Sequence, residues 1–325
     1  MRAFPTALFG LFALGAVACS NRVDDGATSD SAELSEQAPL PCTAGTCTER
    51  PVIWVHGHAG TLHDGDKLLA AFTAPGERFD VVRQVGTEDH QGWAARSIPR
   101  REWLFSFDYY LKSGNDKAHS YTAGPGRVGS FDKLCPDHEG YTKGFEHEFS
   151  QDLAELIDDV LRATGSKQVD VLAHSMGGLI TRSVITFGGG REKIKNALFL
   201  STPHKGVPAA SLETLFSDNP DWMAEHELTE LDRFKLTSKA DFRQCGEGGS
   251  SRTFPDALTE AELATPEGPV IHCMKGSKDR FIFDDSARYD RCVSYEVLED
   301  VDHPGILYAP EAAAKAREVL GGTSR

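Results

Sequence analysis

A chain of 325 residues with a formal net charge of −15 is long enough to bury a sizeable core. Its acidity argues against nucleic acid as a partner, because phosphates would be repelled. No basic cluster offsets that charge, so docking to an anionic membrane by electrostatics alone is not expected either. In chain order, Met1-Arg2, an apolar run from Ala7 to Val17 and the small residues Ala16-Val17-Ala18 form a secretory signal, too short to span a bilayer. Cys19 follows the expected cleavage site, as the lipidated cysteine of a bacterial lipoprotein would. Ala16 stands where leucine is preferred, which keeps plain secretion as the alternative. Ser20 to Pro41 has almost nothing to bury and reads as a disordered tether. The expected organisation is a signal over residues 1–18, an anchor and tether over 19–48, and one domain over 49–325.

Within that domain, Pro51 to Val55 is an apolar run suited to a buried strand, followed by the loop His56-Gly57-His58-Ala59-Gly60. Trp103 to Phe107 predicts another strand. Lys112 to Gly144 is long and Gly-rich and reads as a surface insertion. From Phe149 to Leu161 the apolar residues recur at helical spacing, and Gly165 suits the stop. Val169 to Ala173 predicts a core strand, Leu179 to Phe187 a helix, and Ala197 to Leu200 the next strand. The segment from Lys205 to about Gly268 mixes apolar residues such as Leu212, Trp222 and Leu231 with many charges, and reads as a mostly helical cap. Val270 to Met274 and Val293 to Leu298 predict two further strands, and Pro310 to Leu320 a last helix. Strands alternating with helices give an α/β fold with a mainly parallel sheet flanked by helices.

Chemistry concentrates at Ala173-His-Ser-Met-Gly177. A serine between small residues, after a strand and before a helix, is the layout of a nucleophile elbow. The turn should expose Oγ above the sheet at the positive end of a helix. The other use of a serine here is a helix N-cap. A serine nucleophile needs a base to take its proton and an acid to orient that base. Asp279 lies just past one predicted strand, with Asp284 and Asp285 as competitors, and His303 lies past the next, between Asp302 and Pro304. His303 is the one histidine after Asp279. The expected set is Ser175, Asp279 and His303, with the backbone amides of His58 and Met176 as oxyanion donors.

These stretches carry a resemblance. Val-His-Gly at 55–57, Ala-His-Ser-Met-Gly-Gly at 173–178, Ser-Thr-Pro-His-Lys-Gly at 201–206, Gly-Ser-Lys-Asp at 276–279 and Asp-His at 302–303 resemble signature stretches of the bacterial lipase and esterase group of α/β-hydrolases. The likeness spans roughly residues 50 to 320 and is weakest between about 205 and 268. It implies the α/β-hydrolase fold with a cap and hydrolysis of carboxylic esters, of acylglycerols or simpler esters. Spacing alone argues only for acyl transfer, so an acyltransferase with the same residues and a non-catalytic surface-binding lipoprotein are the competing readings.

No cofactor is expected. His63-Asp64-Gly65-Asp66 could be a metal site or a solvated turn, and the reading is a turn. Of seven cysteines, setting aside Cys19 leaves Cys42, Cys47, Cys135, Cys245, Cys273 and Cys292 for disulfides. Cys42 with Cys47 is a plausible pair; the full connectivity is not legible. The partners expected are an ester or lipid substrate and a membrane reached through lipidated Cys19, with the oligomeric state left open.

Overall fold

The computed structural model of the protein describes residues 48–57, 60–73, 81–85, 97–100, 103–109, 149–206 and 254–322. The expected leader, Cys19, the tether to residue 47, His58, the insertion at 112–144 and residues 207–253 of the expected cap lie outside them.

Seven described strands form one sheet: β1 (Val52–Val55), β2 (Val82–Val85), β3 (Leu104–Asp108), β4 (Val169–His174), β5 (Ile194–Leu200), β6 (Val270–Gly276) and β7 (Cys292–Leu298). Their order is β2-β3-β1-β4-β5-β6-β7, and every pairing is parallel. Parallel strands need crossovers, and helices lie in them: α1 (Asp66–Ala70), α2 (Phe149–Thr164), α3 (Met176–Phe187), α4 (Gly190–Lys193), α5 (Phe254–Leu263) and α6 (Asp284–Ala287), while α7 (Pro310–Val319) follows β7.

The two faces of the sheet explain the near-continuous apolar runs. Alternate residues of each strand enter opposite cores, so a strand covered on both faces is apolar at nearly every position. Ile53, Val55, Val171, Ala173, Phe199 and Ile271 pack with Leu153, Ile157 and Val160 of α2 and with Leu179 and Val184 of α3. Val52, Trp54, Leu172, Leu198 and Met274 pack on the other face with Leu68 and Leu69 of α1 and with Ala312 and Ala316 of α7. Asp170 is the polar exception in β4. Its carboxylate is fully buried yet accepts bonds from Arg50 Nε (3.0 Å), Asn196 N (2.9 Å) and Gly321 N (2.6 Å), tying both ends of the domain to the central strand.

Cys273 of β6 and Cys292 of β7 are joined in a disulfide with Cα atoms 5.8 Å apart, a pairing the sequence did not single out. Cys42, Cys47, Cys135 and Cys245 lie outside the described residues.

Candidate active site

Three loops that leave the carboxyl ends of β4, β6 and β7 carry Ser175, Asp279 and His303, at the edge where open parallel sheets bind ligands. Ser175 stands between β4 and α3 with φ 49° and ψ −122°, a conformation that costs a residue with a Cβ. It occupies the N-cap position of α3, yet its hydroxyl makes no capping hydrogen bond, so Oγ is not committed to the helix. Packing sets the local sequence. A Cβ at Gly177 would overlap the carbonyl oxygens of Val55 and His56, and one at Gly178 would overlap the Thr202 side chain. Gly177 is the small residue the turn motif asks for, whereas the need for Gly178 arises from the loop after β5. The Ser175 side chain differs from expectation in one respect. Its residue is only 8% exposed rather than standing clear of the sheet. The Gly57 loop closes over it: a Cβ on Gly57 would come within 3.0 Å of Ser175 Cβ and 2.8 Å of His174 Nδ1.

Asp279 and His303 are in contact. His303 Nδ1 lies 2.8 Å from Asp279 Oδ2; a carboxylate only accepts, so Nδ1 donates and Nε2 keeps its lone pair. The other carboxylate oxygen accepts the amides of Phe281 and Ile282, each at 3.0 Å, which locks the Asp279 side chain. Burial pushes the Asp279 pKa up, but the His303 bond and charge, the Ile282 amide and the Ser201 hydroxyl outweigh it and leave it below the usual carboxylate range. The competitors are occupied differently. Asp284 takes Lys275 Nζ at 2.6 Å, and Asp285, like Asp284, sits in α6.

His174, immediately before Ser175, links the base loop to β4. Its Nε2 lies 3.1 Å from the His303 carbonyl oxygen, so it donates there, and the two rings are 4.7 Å apart. Burial, reinforced by the charge of His303, lowers the His174 pKa to about 3 and keeps the ring neutral. Phe281 meets His303 edge-on at 5.5 Å. Met176 begins α3 directly after Ser175, while His58, the other expected amide donor, is outside the described residues.

Behind the elbow, Arg182 of α3 is fully buried and forms a two-pronged pair with Glu262 of α5, at 3.0 and 2.6 Å. Its other donors reach Thr259 Oγ1 (3.0 Å), the His204 carbonyl (3.0 Å) and His204 Nδ1 (3.4 Å). The Arg182–Glu262 pair ties α5 to the elbow helix, and the bond to the His204 carbonyl fixes the loop after β5 there. Residues 182 and 262 are too far apart in sequence for spacing to couple them.

His204, Cys273 and Cys292 place potential metal-ligating atoms within 4.8 Å of one another. The two sulfurs are bonded to each other, which leaves no thiolate to ligate. Arg182 can only donate to His204 Nδ1, so the ring proton sits on Nε2, facing Cys273 Sγ at 3.8 Å. The cluster is a histidine packed on a disulfide. At the 63–66 turn, Asp64 accepts from Thr61 N and Oγ1, each at 2.9 Å, and Asp66 pairs with Arg83 at 2.8 Å, so both carboxylates serve the fold.

A profile described as "Alpha/beta hydrolase family" matches residues 52–316. Lipase 2 of Staphylococcus aureus is 26% identical over 193 residues, which are 56% of this chain and 28% of that lipase. The chain thus spans little more than a quarter of the length of that curated relative. Among solved structures, the carboxylesterase CesB (YbfK) from Bacillus subtilis shares 14% identity, with 84% of each chain covered and a TM-score of 0.44. The lipase BlEst2 from Bacillus licheniformis shares 12% identity, with 86% of this chain and 95% of that one covered and a TM-score of 0.43.

Proposed function

From the chain's place in the alpha/beta hydrolase family, to which it belongs, we propose that it is a serine ester hydrolase, a lipase or carboxylesterase working through an acyl-enzyme. Ser175 Oγ attacks the ester carbonyl carbon while His303 Nε2 takes the hydroxyl proton. Asp279 holds Nδ1–H and stabilises the imidazolium that forms. The amides of His58 and Met176 donate to the oxyanion of the tetrahedral intermediate. Collapse expels the alkoxide, which leaves as alcohol with the proton from His303. Water then repeats the two steps on the acyl-enzyme and releases the carboxylic acid.

The observation that carries this reading is a strained serine, not used as a helix cap, at the same sheet edge as a 2.8 Å Asp279–His303 pair. Positive φ recurs at Ser201 (47°), so the strain counts for Ser175 because its neighbour His174 packs against His303. The test is hydrolysis of p-nitrophenyl esters of graded chain length and of triglyceride emulsions by the purified protein and by Ser175→Ala. Loss of turnover and of fluorophosphonate labelling in the variant is expected; equal activity in both overturns the assignment. Emulsion against soluble ester separates lipase from carboxylesterase, and added alcohol acceptors reveal any transferase activity. We further propose export as a lipoprotein through Cys19, tested by whether Cys19→Ser moves the protein from the detergent phase to the soluble exported fraction.

A further inference from the structure

The loop that carries His303 is a surface loop: Asp302 and Pro304, on either side of it, are both exposed. The His303 ring is fixed by Asp279 Oδ2 at 2.8 Å, and its backbone is fixed separately. The His303 carbonyl accepts a hydrogen bond from His174 Nε2 at 3.1 Å. His174 is the last residue of β4 and stands directly before Ser175; the pairing His174↔Leu200 sets its main chain in the sheet. A carbonyl oxygen only accepts, so the His174 proton sits on Nε2 and Nδ1 keeps a lone pair. That second nitrogen faces Gly57, where a Cβ would come within 2.8 Å of it, so the ring stands in a slot that a glycine leaves open. An apolar side chain would fill this slot without the cost of burying a polar ring. The donor that the polar ring supplies goes to the residue proposed as the base.

We infer that His174 is a positioning residue for the base: by tying the His303 backbone to the strand that ends at Ser175, it sets how the imidazole stands relative to the nucleophile. The inference rests on the reading of Ser175 and His303 as nucleophile and base. Asp279 fixes the direction of the Nδ1–H bond, but a ring held at one nitrogen can still pivot and shift with its loop. A second anchor at the backbone removes that freedom. Because this anchor belongs to the nucleophile's own chain, the two reacting groups move together. Burial, then the charge of His303, hold the His174 pKa down to about 3, so a ring 4.7 Å from His303 brings no charge against the imidazolium formed in the reaction. A displacement of about 1 Å at reacting groups can cost about a hundredfold in rate. The cost should fall most heavily on proton delivery to the leaving group. An alkoxide needs that proton from His303 Nε2, whereas p-nitrophenolate leaves without it.

The test compares the wild type with His174→Gln, His174→Asn and His174→Leu in the full chain. The readouts are kcat/KM on p-nitrophenyl butyrate and on ethyl butyrate, which share one acyl group, and the melting temperature. A glutamine amide nitrogen reaches about as far as imidazole Nε2, whereas an asparagine amide nitrogen stops near the position of Nδ1. His174→Asn and His174→Leu should lower kcat/KM about tenfold on the aryl ester, the value of one well-placed hydrogen bond, and about a hundredfold on the alkyl ester. His174→Gln should recover most of both losses. Glutamine and asparagine carry the same polar group, so their comparison decides the matter even where the leucine variant fails to fold. Equal activity of those two variants overturns the inference. So does a loss that is the same on both esters and follows the melting temperature; in either case the hydrolase reading stands. A wild type that neither turns over esters nor takes a fluorophosphonate label overturns both.

Discussion

Replacing Ser175 with glycine should make the protein more stable while making it inactive. At φ 49° and ψ −122° a residue with a Cβ is held away from every broad basin, at a cost on the order of 1–3 kcal/mol. Ser175→Ala removes Oγ but keeps the Cβ, so it keeps that strain. Ser175→Gly removes both, and the difference between the variants isolates the backbone term. Glycine gives back roughly 0.5–1 kcal/mol through the greater freedom of its unfolded chain. Since the Ser175 hydroxyl makes no capping bond, its loss adds little on either side. Ser175→Gly should therefore exceed Ser175→Ala by about 0.5–2 kcal/mol, a few degrees in melting temperature for a domain of this size. Urea unfolding with an unchanged m-value and scanning fluorimetry measure it directly. A glycine variant no more stable than the alanine variant would show that the turn is relaxed, and the strain argument for Ser175 as a nucleophile would go with it.

Asp279→Asn should cut kcat/KM on p-nitrophenyl acetate by about 10⁴, as loss of the orienting acid does in serine hydrolases generally. Asp284→Asn, which touches Lys275 instead, should stay near wild type; the reverse ranking would move the acid along the loop. Glu262→Ala leaves the Arg182 guanidinium buried without its partner, at a cost of about 3–5 kcal/mol. Replacing both residues with well-packed apolar ones should cost clearly less, which urea titration of the two variants would show. Stability should also fall with acid through the buried histidines, against the opposing contribution of Asp170, whose burial raises its pKa. His174 has a folded pKa of about 3 against 6.5 for the unfolded side chain, so between those values the unfolded chain binds more protons. Lowering the pH from about 6.5 to 5 should thus remove about 2 kcal/mol through His174 alone, at 1.36 kcal/mol per unit. The depressed His204 adds to this loss, whereas Asp279, shifted downwards, costs stability only below the usual carboxylate range. A urea midpoint unchanged between pH 7.5 and 5 would contradict the buried neutral state of His174.

The strands were legible where the sheet is covered on both faces. Val52 to Val55 and Val169 to His174 are buried along their whole length, and only a nearly unbroken apolar run can satisfy that. β5 was read as starting at Ala197 because Lys195 and Asn196 are polar, yet the chain joins the sheet from Ile194, with Lys195 exposed. β2 was missed. Val82-Arg-Gln-Val85 is short and half polar, and among the described strands it pairs with β3 alone, so it needs no apolar run. The loop positions of Asp279 and His303 were legible because each follows an apolar strand directly, and the two strands turn out to be neighbours. What could not be read is what the fold alone brings together. Arg182 with Glu262, Tyr109 with Gly57 and Cys273 with Cys292 are joined across crossovers or strand pairings, and no periodicity encodes such contacts.

The location of the elbow follows from how the ladder ends. Ser175 N donates to the Leu200 carbonyl at 2.9 Å, and Ser201 N to the Met274 carbonyl at 2.7 Å, so each chain leaves the sheet one step beyond its neighbour. Both serines pay for that exit with positive φ, 49° and 47°. Neighbouring elements add to the bonds each turn makes within itself, Gly178 N to Ser175 O (3.0 Å) and His204 N to Thr202 O (2.9 Å). Gly177 fits beneath the β1 carbonyls, Gly178 fits against Thr202 of the second turn, and Arg182 holds that second turn through the His204 carbonyl at 3.0 Å. A strained residue persists only where its surroundings over-determine it. At this sheet edge the two strained turns constrain each other, with Thr202 between them and Asp279 within reach of Ser201. A disturbance of the second turn should therefore reach both the nucleophile and the acid. This is a physical reason for a buried ion pair to stand behind a loop that carries none of the proposed chemistry.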